Sequence, residues 1–398
     1  MMNKYSENIL SKSREDKYEL VIKGNREFLY SGWEINQITT HLNNSYYKNE
    51  LINTIKSELL NGTNPENIWI LNESIKLNNT YENIKSGLLN LNLENDIIQL
   101  YYLGSPIPLI PHKDTYKIFY IFELLRIIYT MSNSNKLTPI NRKESLKKLI
   151  TGRNTFNNSN DLRIAVKELL IDSNEDKLKK DSSLLQNIEK ITNANLRVFR
   201  YWDELIEEDN FDDIIINDAI TDNITKEYIY RFKNTFKSFE KPIVCVYKPE
   251  INQIEITCID MIARSYFNEG NARLLETKSI SQNSPLLIYV GISMGFLPAL
   301  MRLTEATSIT RNTRRELVAT IDEIDNNAEI LGRQIEENDR IIQELRQMER
   351  LTNEKSADIQ TTNRSDVAFN YVEEMEKEDM ETLEKQFKSK KLAVEQIG

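Results

Sequence analysis

The chain has 398 residues, of which 40% are hydrophobic and 28% are charged, and its net charge is −10. This length allows two or three domains with a sizeable core, and the composition is that of a globular protein rather than a disordered one. It has only 11 glycines and two histidines, His41 and His112, and no catalytic, metal-binding or nucleotide-binding motif. These features predict a protein that is not an enzyme and that carries no cofactor or metal ion.

The two cysteines, Cys245 and Cys258, lie in apolar, alternating segments. This placement predicts two reduced core thiols. The first twelve residues have no apolar core of a signal peptide, so we expect an intracellular protein.

The N-terminal region, residues 1–104, has mixed patterns. Apolar residues at helical spacing predict helices over residues 1–60, whereas the short apolar runs of residues 65–100 fit either strands or helices. Three prolines between Gly104 and Pro111 predict a rigid connector that is neither strand nor helix, because proline removes backbone donors.

Residues 112–240 are predicted to form a central helical domain. Residues 116–129 are apolar nearly all round, which indicates a buried helix. Shorter amphipathic helices follow over residues 142–150 and 161–171, the latter with Asn160 or Asp161 as its cap. Further helices are predicted over residues 183–193, 198–208 and 226–239.

A basic stretch lies within this domain, because residues 136–167 hold eight positive charges and two negative ones. A helix that starts at Arg142 places its lysines on one face and apolar residues on the other. Fixed cations on a packed surface bind phosphate backbones, although such a face can also be simply solvated. The predicted nucleic-acid-binding residues are Arg142, Lys143, Lys147, Lys148, Arg153, Arg163 and Lys167. Tyr201 and Trp202 are candidates for stacking on bases.

Residues 241–304 are predicted to form a β-hairpin and an apolar core helix. The hairpin strands, residues 243–247 and 251–259, flank a turn with Pro249. No charge lies between Lys278 and Arg302, so residues 285–301 fit a buried helix. A membrane helix is the alternative, since Gly291 and Gly295 have GxxxG spacing.

Residues 305–360 carry a heptad pattern, and residues 361–398 form an acidic tail with a last helix over residues 367–391. Residues 316–398 hold 21 acidic and 11 basic side chains, whereas residues 1–315 hold 40 of each. We expect the heptads either to join copies of the chain or to pack on their own domain, with Asn338 restricting the register. The predicted oligomerisation residues are Leu317, Ile321, Ile324, Leu331, Ile335, Asn338, Ile342 and Leu345.

The run from Pro285-Leu-Leu-Ile-Tyr to Met294-Gly295 resembles a short apolar stretch that ends in Met-Gly in nucleoproteins of non-segmented negative-strand RNA viruses. The plan of a helical body with an acidic C-terminal tail is also similar. The resemblance implies an RNA-binding groove between two helical lobes, which the basic stretch would line, and a location in the host cytoplasm and the virion.

Together these patterns predict a mainly α fold: a multi-helix body with a small β-hairpin, followed by a long C-terminal coiled-coil arm. The predicted function is that of a self-assembling structural protein of the viral nucleoprotein or capsid type, which forms homo-oligomers and coats RNA. The acidic tail is expected to bind a protein partner. The alternative is a membrane-associated helical protein, a pore-former or an anchored scaffold, which inserts residues 285–301 and multimerises through residues 317–345.

Overall fold

The computed structural model describes residues 17–26, 28–73, 86–193, 230–262, 275–281, 286–293, 296, 303 and 358–397. The chain divides into two compact units. The first comprises Met1–Lys56 and Asp260–Gly398, and the second comprises Ser57–Ile259.

The described residues form nine strands and nine α-helices. In chain order these are β1 (Lys17–Gly24), α1 (Gly32–Leu60), β2 (Ile68–Leu71), β3 (Leu88–Asn90), α2 (Glu94–Leu103), β4 (Pro106–Pro108), α3 (Lys113–Ser134), α4 (Arg142–Thr151), α5 (Ser159–Ser173), α6 (Glu175–Leu178), α7 (Leu184–Thr192), α8 (Arg231–Ser238), β5 (Ile243–Lys248), β6 (Gln253–Ile256), β7 (Glu276–Ser281), β8 (Leu286–Ser293), α9 (Asp358–Lys390) and β9 (Leu392–Ile397).

The predicted fold class, a mainly α body with one small hairpin, is wrong. The strands form two antiparallel sheets, a four-stranded sheet in the order β7-β8-β1-β9 and a five-stranded sheet in the order β3-β6-β5-β2-β4. The predicted hairpin is confirmed, since β5 pairs with β6 in antiparallel register. It is, however, only two strands of a larger sheet, because its partners β2 and β3 come from far earlier in the chain.

The four-stranded sheet belongs to the first unit, and β1 lies in its centre. Ile22 pairs with Ile288 of β8 on one side and with Val394 of β9 on the other, and all three side chains are buried. The helix predicted for this part of residues 1–60 is therefore wrong. Leu20 and Ile22 are two residues apart, which is the repeat of a strand face and not of a helix.

The core helix predicted over residues 285–301 is also wrong where the structure describes it. Leu286, Ile288 and Val290 are buried at alternate positions of β8, and β-branched residues favour such a half-buried strand. The alternative prediction, a membrane helix, is wrong for the same described residues, because Leu286–Ser293 forms a strand. Among the described residues, no helix has the length and apolar character needed to cross a bilayer.

Helix α1 runs antiparallel to α9, and side chains of the two helices contact each other at several positions within the first unit. The Nζ of Lys56 lies 2.9 Å from a carboxylate oxygen of Glu376, and the Ser45 hydroxyl donates to Asp379 at 2.6 Å. Nearer the other end, Nζ of Lys390 lies 3.4 Å from Oε1 of Gln37. The helix predicted over residues 367–391 is confirmed. It is part of a packed core, because Val372, Met375, Leu383 and Phe387 are buried.

Helix α1 begins with a capping box formed by Ser31 and Glu34. The backbone N–H of Ser31 donates to Oε2 of Glu34 at 2.9 Å, and the backbone N–H of Glu34 donates to the Ser31 hydroxyl oxygen at 3.2 Å. The Ser31 backbone hydrogen bond and the hydrogen bond from Arg26 lower the pKa of Glu34 to about 2. The charged carboxylate therefore stabilises the start of α1.

We expect the Glu34→Gln protein to unfold at a lower temperature than the unmodified protein at neutral pH. Because the folded pKa lies below the unfolded value of 4.5, this stabilisation is present above about 4.5 and is lost as the pH falls toward about 2. Melting curves of both proteins across this range should converge at acidic pH. A melting difference that is constant with pH would contradict the role of the charge, and Glu373→Gln, an exposed change on α9, is the control.

The five-stranded sheet belongs to the second unit, with β5 and β2 at its centre and β4 at one edge. The prediction that the proline-rich segment is neither strand nor helix is wrong, because Pro106–Pro108 pairs with β2. An edge strand tolerates proline, since only one of its sides is hydrogen-bonded. Flanking backbone bonds hold it in place: Asn72 donates to the Ser105 carbonyl at 3.2 Å and Leu109 donates to the Ile68 carbonyl at 2.7 Å.

Gly104 makes the turn from α2 into β4. Its φ of +129° lies in the region that favours glycine, and a Cβ there would lie 2.9 Å from the backbone nitrogen of Glu73. Both the backbone conformation and the space therefore require glycine at this position.

Gly104→Ala is expected to cost at least about 2–3 kcal/mol of unfolding free energy, because strain and a backbone clash add. Gly62→Ala is the matched control, since Gly62 also has a positive φ of +85° but no atom within 4 Å of its added Cβ. It should cost only about 1 kcal/mol. Urea denaturation of both variants measures the difference, and equal losses would contradict the role of crowding at Gly104.

The helices predicted for the central domain are confirmed where the structure describes them. The buried helix over residues 116–129 is α3, and the helices predicted over residues 142–150, 161–171 and 183–193 are α4, α5 and α7. The cap of α5 is Asn158, which accepts from the Asp161 N–H, and not Asn160 or Asp161. The helix predicted over residues 226–239 is confirmed in its described part, α8. The helix predicted over residues 198–208 lies outside the described residues.

Candidate nucleic-acid interface

Helix α4 has one buried and one exposed face, as the basic stretch predicts. Ser145, Leu146, Leu149 and Ile150 are buried, whereas Lys143, Lys147 and Lys148 are exposed. The apolar face packs α4 against the rest of the second unit. This packing fixes the positions of the lysines on the opposite face. We call Lys143, Lys147 and Lys148 the lysine face.

The charges of the lysine face are largely uncompensated within the described part of the chain. The side chains of Lys147 and Lys148 form no ion pair or hydrogen bond there, and Nζ of Lys143 only approaches Oδ1 of Asn95 at 3.5 Å. Glu144 is the one acidic residue of the helix itself. Such a face attracts anions, because releasing the counterions of a phosphate chain is favourable.

Arg142, the first residue of α4, stacks on tyrosines. Its guanidinium carbon lies 3.9 Å from the ring centroid of Tyr129 and 5.5 Å from those of Tyr101 and Tyr102. Its Nη1 donates to the Tyr102 hydroxyl at 2.8 Å. Burial acts to lower the pKa of Arg142, but the Tyr102 hydrogen bond and the surrounding tyrosines raise it above its ordinary value, so the guanidinium stays charged.

A cleft of about 590 Å³ opens between the end of α2 and the start of α4. Tyr102 and Tyr129 supply aromatic surface, and Arg142 and Lys143 supply positive charge. Tyr129 is held in place because its hydroxyl donates to the Ile140 carbonyl at 2.6 Å. Tyr102 is 48% exposed, so part of its ring is open to a ligand.

The other predicted site residues have contacts within the protein. Arg153 donates to the Ile150 carbonyl at 2.9 Å and reaches Tyr247 and Asn252 at the β5–β6 hairpin, each at 3.4 Å. Arg163 lies on α5 and contacts the Ser159 hydroxyl at 3.5 Å. Lys167 forms an ion pair with Glu189 of α7 at 2.8 Å. Arg153 thus joins the end of α4 to the β5–β6 hairpin, and Lys167 joins α5 to α7.

The arrangement at α4 combines three lysines with a cleft that holds two tyrosine rings. Cations of this kind neutralise phosphates, and exposed aromatic rings stack on unpaired bases. Sequence reasoning did not identify Tyr102 and Tyr129, which lie on two other helices. Tyr201 and Trp202, which it proposed as stacking residues, lie outside the described residues, as do the eight predicted oligomerisation residues between Leu317 and Leu345.

Among the described residues, no group of three or more His, Cys, Asp or Glu side chains could hold a metal ion. Comparisons with known protein families, curated proteins and solved structures give no match to this chain, so its functional assignment rests on its own residues and their geometry.

Proposed function

We propose that this chain is a non-enzymatic RNA-binding protein that assembles into oligomers and coats RNA, the role of a nucleoprotein. The observation that carries this proposal is the lysine face of α4 beside the tyrosine-lined cleft. Three exposed cations on one rigid helix match a phosphate chain, and the partly exposed ring of Tyr102 offers a surface to bases. Phosphate binding by the lysine face is compatible with the negative net charge of the chain, because the local electrostatic potential determines phosphate contacts.

Single-stranded RNA suits the cleft better than a duplex. Bases of a single strand are free to stack on aromatic rings, whereas those of an A-form helix are paired and face a deep, narrow groove. The fixed spacing of lysines on α4 favours contact with the backbone, which carries no base identity. Binding is therefore proposed to be largely independent of sequence, as coating requires.

Self-assembly is proposed from the heptad pattern between Leu317 and Leu345, with Asn338 restricting the register. A coat requires contacts between copies in addition to contacts with RNA. The proposal places this protein inside the cell and, in a virus, in the virion.

The proposal is tested by purifying the recombinant protein and measuring its mass by light scattering and its absorbance at 260 and 280 nm across a size-exclusion column. We expect a multimer that carries host RNA, and we expect ribonuclease to remove the excess absorbance at 260 nm. A monomer that carries no nucleic acid and does not bind added single-stranded RNA would reject the proposal.

A further inference from the structure

The first unit carries an exposed apolar surface that its own core does not use. Phe28, Leu29 and Trp33 are 80%, 67% and 67% exposed. They lie within six residues of one another, between β1 and the first turn of α1. Single exposed apolar side chains are common, but three large ones so close together in the sequence are typical of an interaction surface. We call these three residues the apolar tip.

The base of the apolar tip is firmly held. The Tyr30 hydroxyl donates to the Lys390 carbonyl at 2.7 Å, and the Asn25 backbone N–H donates to the Lys391 carbonyl at 2.9 Å. The Ser31–Glu34 capping box described above fixes the turn into α1, and Tyr30 itself is buried. The exposure of the tip side chains therefore follows from an ordered backbone.

Positive charge lies beside the apolar tip. The Nζ of Lys390 is 5.6 Å from the ring centroid of Trp33, and the exposed Lys391 follows it. The net charge of the sequence changes from negative to positive here. Residues 358–384 contain nine acidic and two basic side chains, whereas residues 385–391 contain four lysines and no acidic residue. Lysines at a helix C-terminus complement its dipole, but the dipole does not explain apolar side chains exposed next to them.

We propose that the apolar tip docks on an anionic lipid bilayer, with Phe28, Leu29 and Trp33 entering the interfacial region and Lys390 and Lys391 contacting the headgroups. Tryptophan favours the boundary between headgroups and acyl chains, and lysine binds anionic headgroups while its stem covers apolar surface. Binding of this kind is peripheral and depends on both apolar area and anionic lipid. The proposal is independent of RNA binding at α4, which lies in the other unit.

The test is flotation of the full-length protein with phosphatidylcholine vesicles that contain or lack phosphatidylserine. We expect binding only when phosphatidylserine is present. The combined variant Phe28→Ser, Leu29→Ser and Trp33→Ser should partition at least about tenfold more weakly, because the apolar contribution is lost. Leu60→Ser is the matched control, since Leu60 is 75% exposed but lies outside the tip, and it should bind as the unmodified protein does.

A second variant tests the charges. Lys390→Gln with Lys391→Gln should weaken binding to the anionic vesicles, whereas Lys180→Gln with Lys190→Gln, at two exposed lysines of the second unit, should not. If the triple tip variant does not fold, Trp33→Phe is used instead. The tryptophan fluorescence of the unmodified protein should shift when anionic vesicles are added, and this shift should be absent from the Trp33→Phe protein.

Three results would overturn the docking proposal. The first is no binding of the unmodified protein to anionic vesicles, and the second is unchanged binding of the folded tip variant. The third is a lower oligomer mass of the tip variant in the absence of lipid, which would show that the tip contacts a second copy of the chain. RNA binding is measured on the same tip variants and should be unaltered. A failure of the docking proposal can therefore be distinguished from a failure of the proposed RNA-binding function.

Discussion

Arg126→Ala is expected to destabilise the second unit by about 2–4 kcal/mol, because it leaves several polar groups without their partner. The Nη1 of Arg126 lies 2.5 Å from both the Ser105 hydroxyl and a carboxylate oxygen of Glu123, and its Nη2 donates to the Tyr101 carbonyl at 2.8 Å. Ser105 is fully buried. One guanidinium thus joins Ser105, the residue before the edge strand β4, to helices α2 and α3.

The loss is measured by urea denaturation, with the slope of the transition checked for two-state behaviour. Arg126→Lys should give an intermediate loss, since a lysine keeps the charge but not the forked geometry. Lys180→Ala, at an exposed position, is the control and should be within about 0.5 kcal/mol of the unmodified protein. A similarly small effect of Arg126→Ala would show that the cluster does not stabilise the unit.

Reversing the three charges of the lysine face is expected to abolish RNA binding. Each phosphate contact with a single strand increases the affinity by about fivefold at ~0.1 M salt, so the loss of three contacts lowers the affinity by about a hundredfold. Repulsion between the new carboxylates and the phosphates lowers it further. The variant is Lys143→Glu with Lys147→Glu and Lys148→Glu, and binding is measured by fluorescence anisotropy of a labelled single-stranded RNA. The altered side chains are exposed, so the fold should be retained.

The control for this variant carries the same change of net charge elsewhere in the second unit. Lys113, Lys180 and Lys190 are exposed, and their replacement by Glu should weaken binding only slightly, through the general field of the protein. Equal losses in the two variants would mean that overall charge governs binding. The lysine face would then have no specific role.

The amphipathic helices of the second unit were predictable because their signal is local. On α4, Leu146 and Leu149 are three residues apart on the buried side, and Lys147 and Lys148 occupy the positions between them. This helical repeat of apolar residues can be recognised in the local sequence alone, without knowledge of how the rest of the chain folds. The lysine face was predicted for the same reason.

The two sheets were not predictable because their strands are short and their partners lie far apart in sequence. Strand β1 pairs with β8 and β9, each more than 260 residues further along the chain. In β8 the buried residues alternate with Leu287 and Tyr289, which are only partly buried. An apolar residue at nearly every position conceals the period of two, so the segment has the same composition as a buried helix.

The cleft beside α4 was missed for a related reason. Tyr102 lies in the last turn of one helix, Tyr129 lies on a second, and Arg142 begins a third, so no spacing in the sequence connects them. Their contact depends on how α2, α3 and α4 pack together. The separate roles of Arg153 and Lys167 were hidden in the same way, because their partners Tyr247 and Glu189 are distant in the chain.

The salt dependence of RNA binding tests whether the lysine face contacts phosphates. The logarithm of the association constant is plotted against the logarithm of the salt concentration for the unmodified protein and for Lys143→Ala with Lys147→Ala and Lys148→Ala. Each lost phosphate contact with a single strand lowers the steepness by about 0.7, so we expect the two slopes to differ by about 2. Identical slopes would show that these lysines do not contact the phosphates.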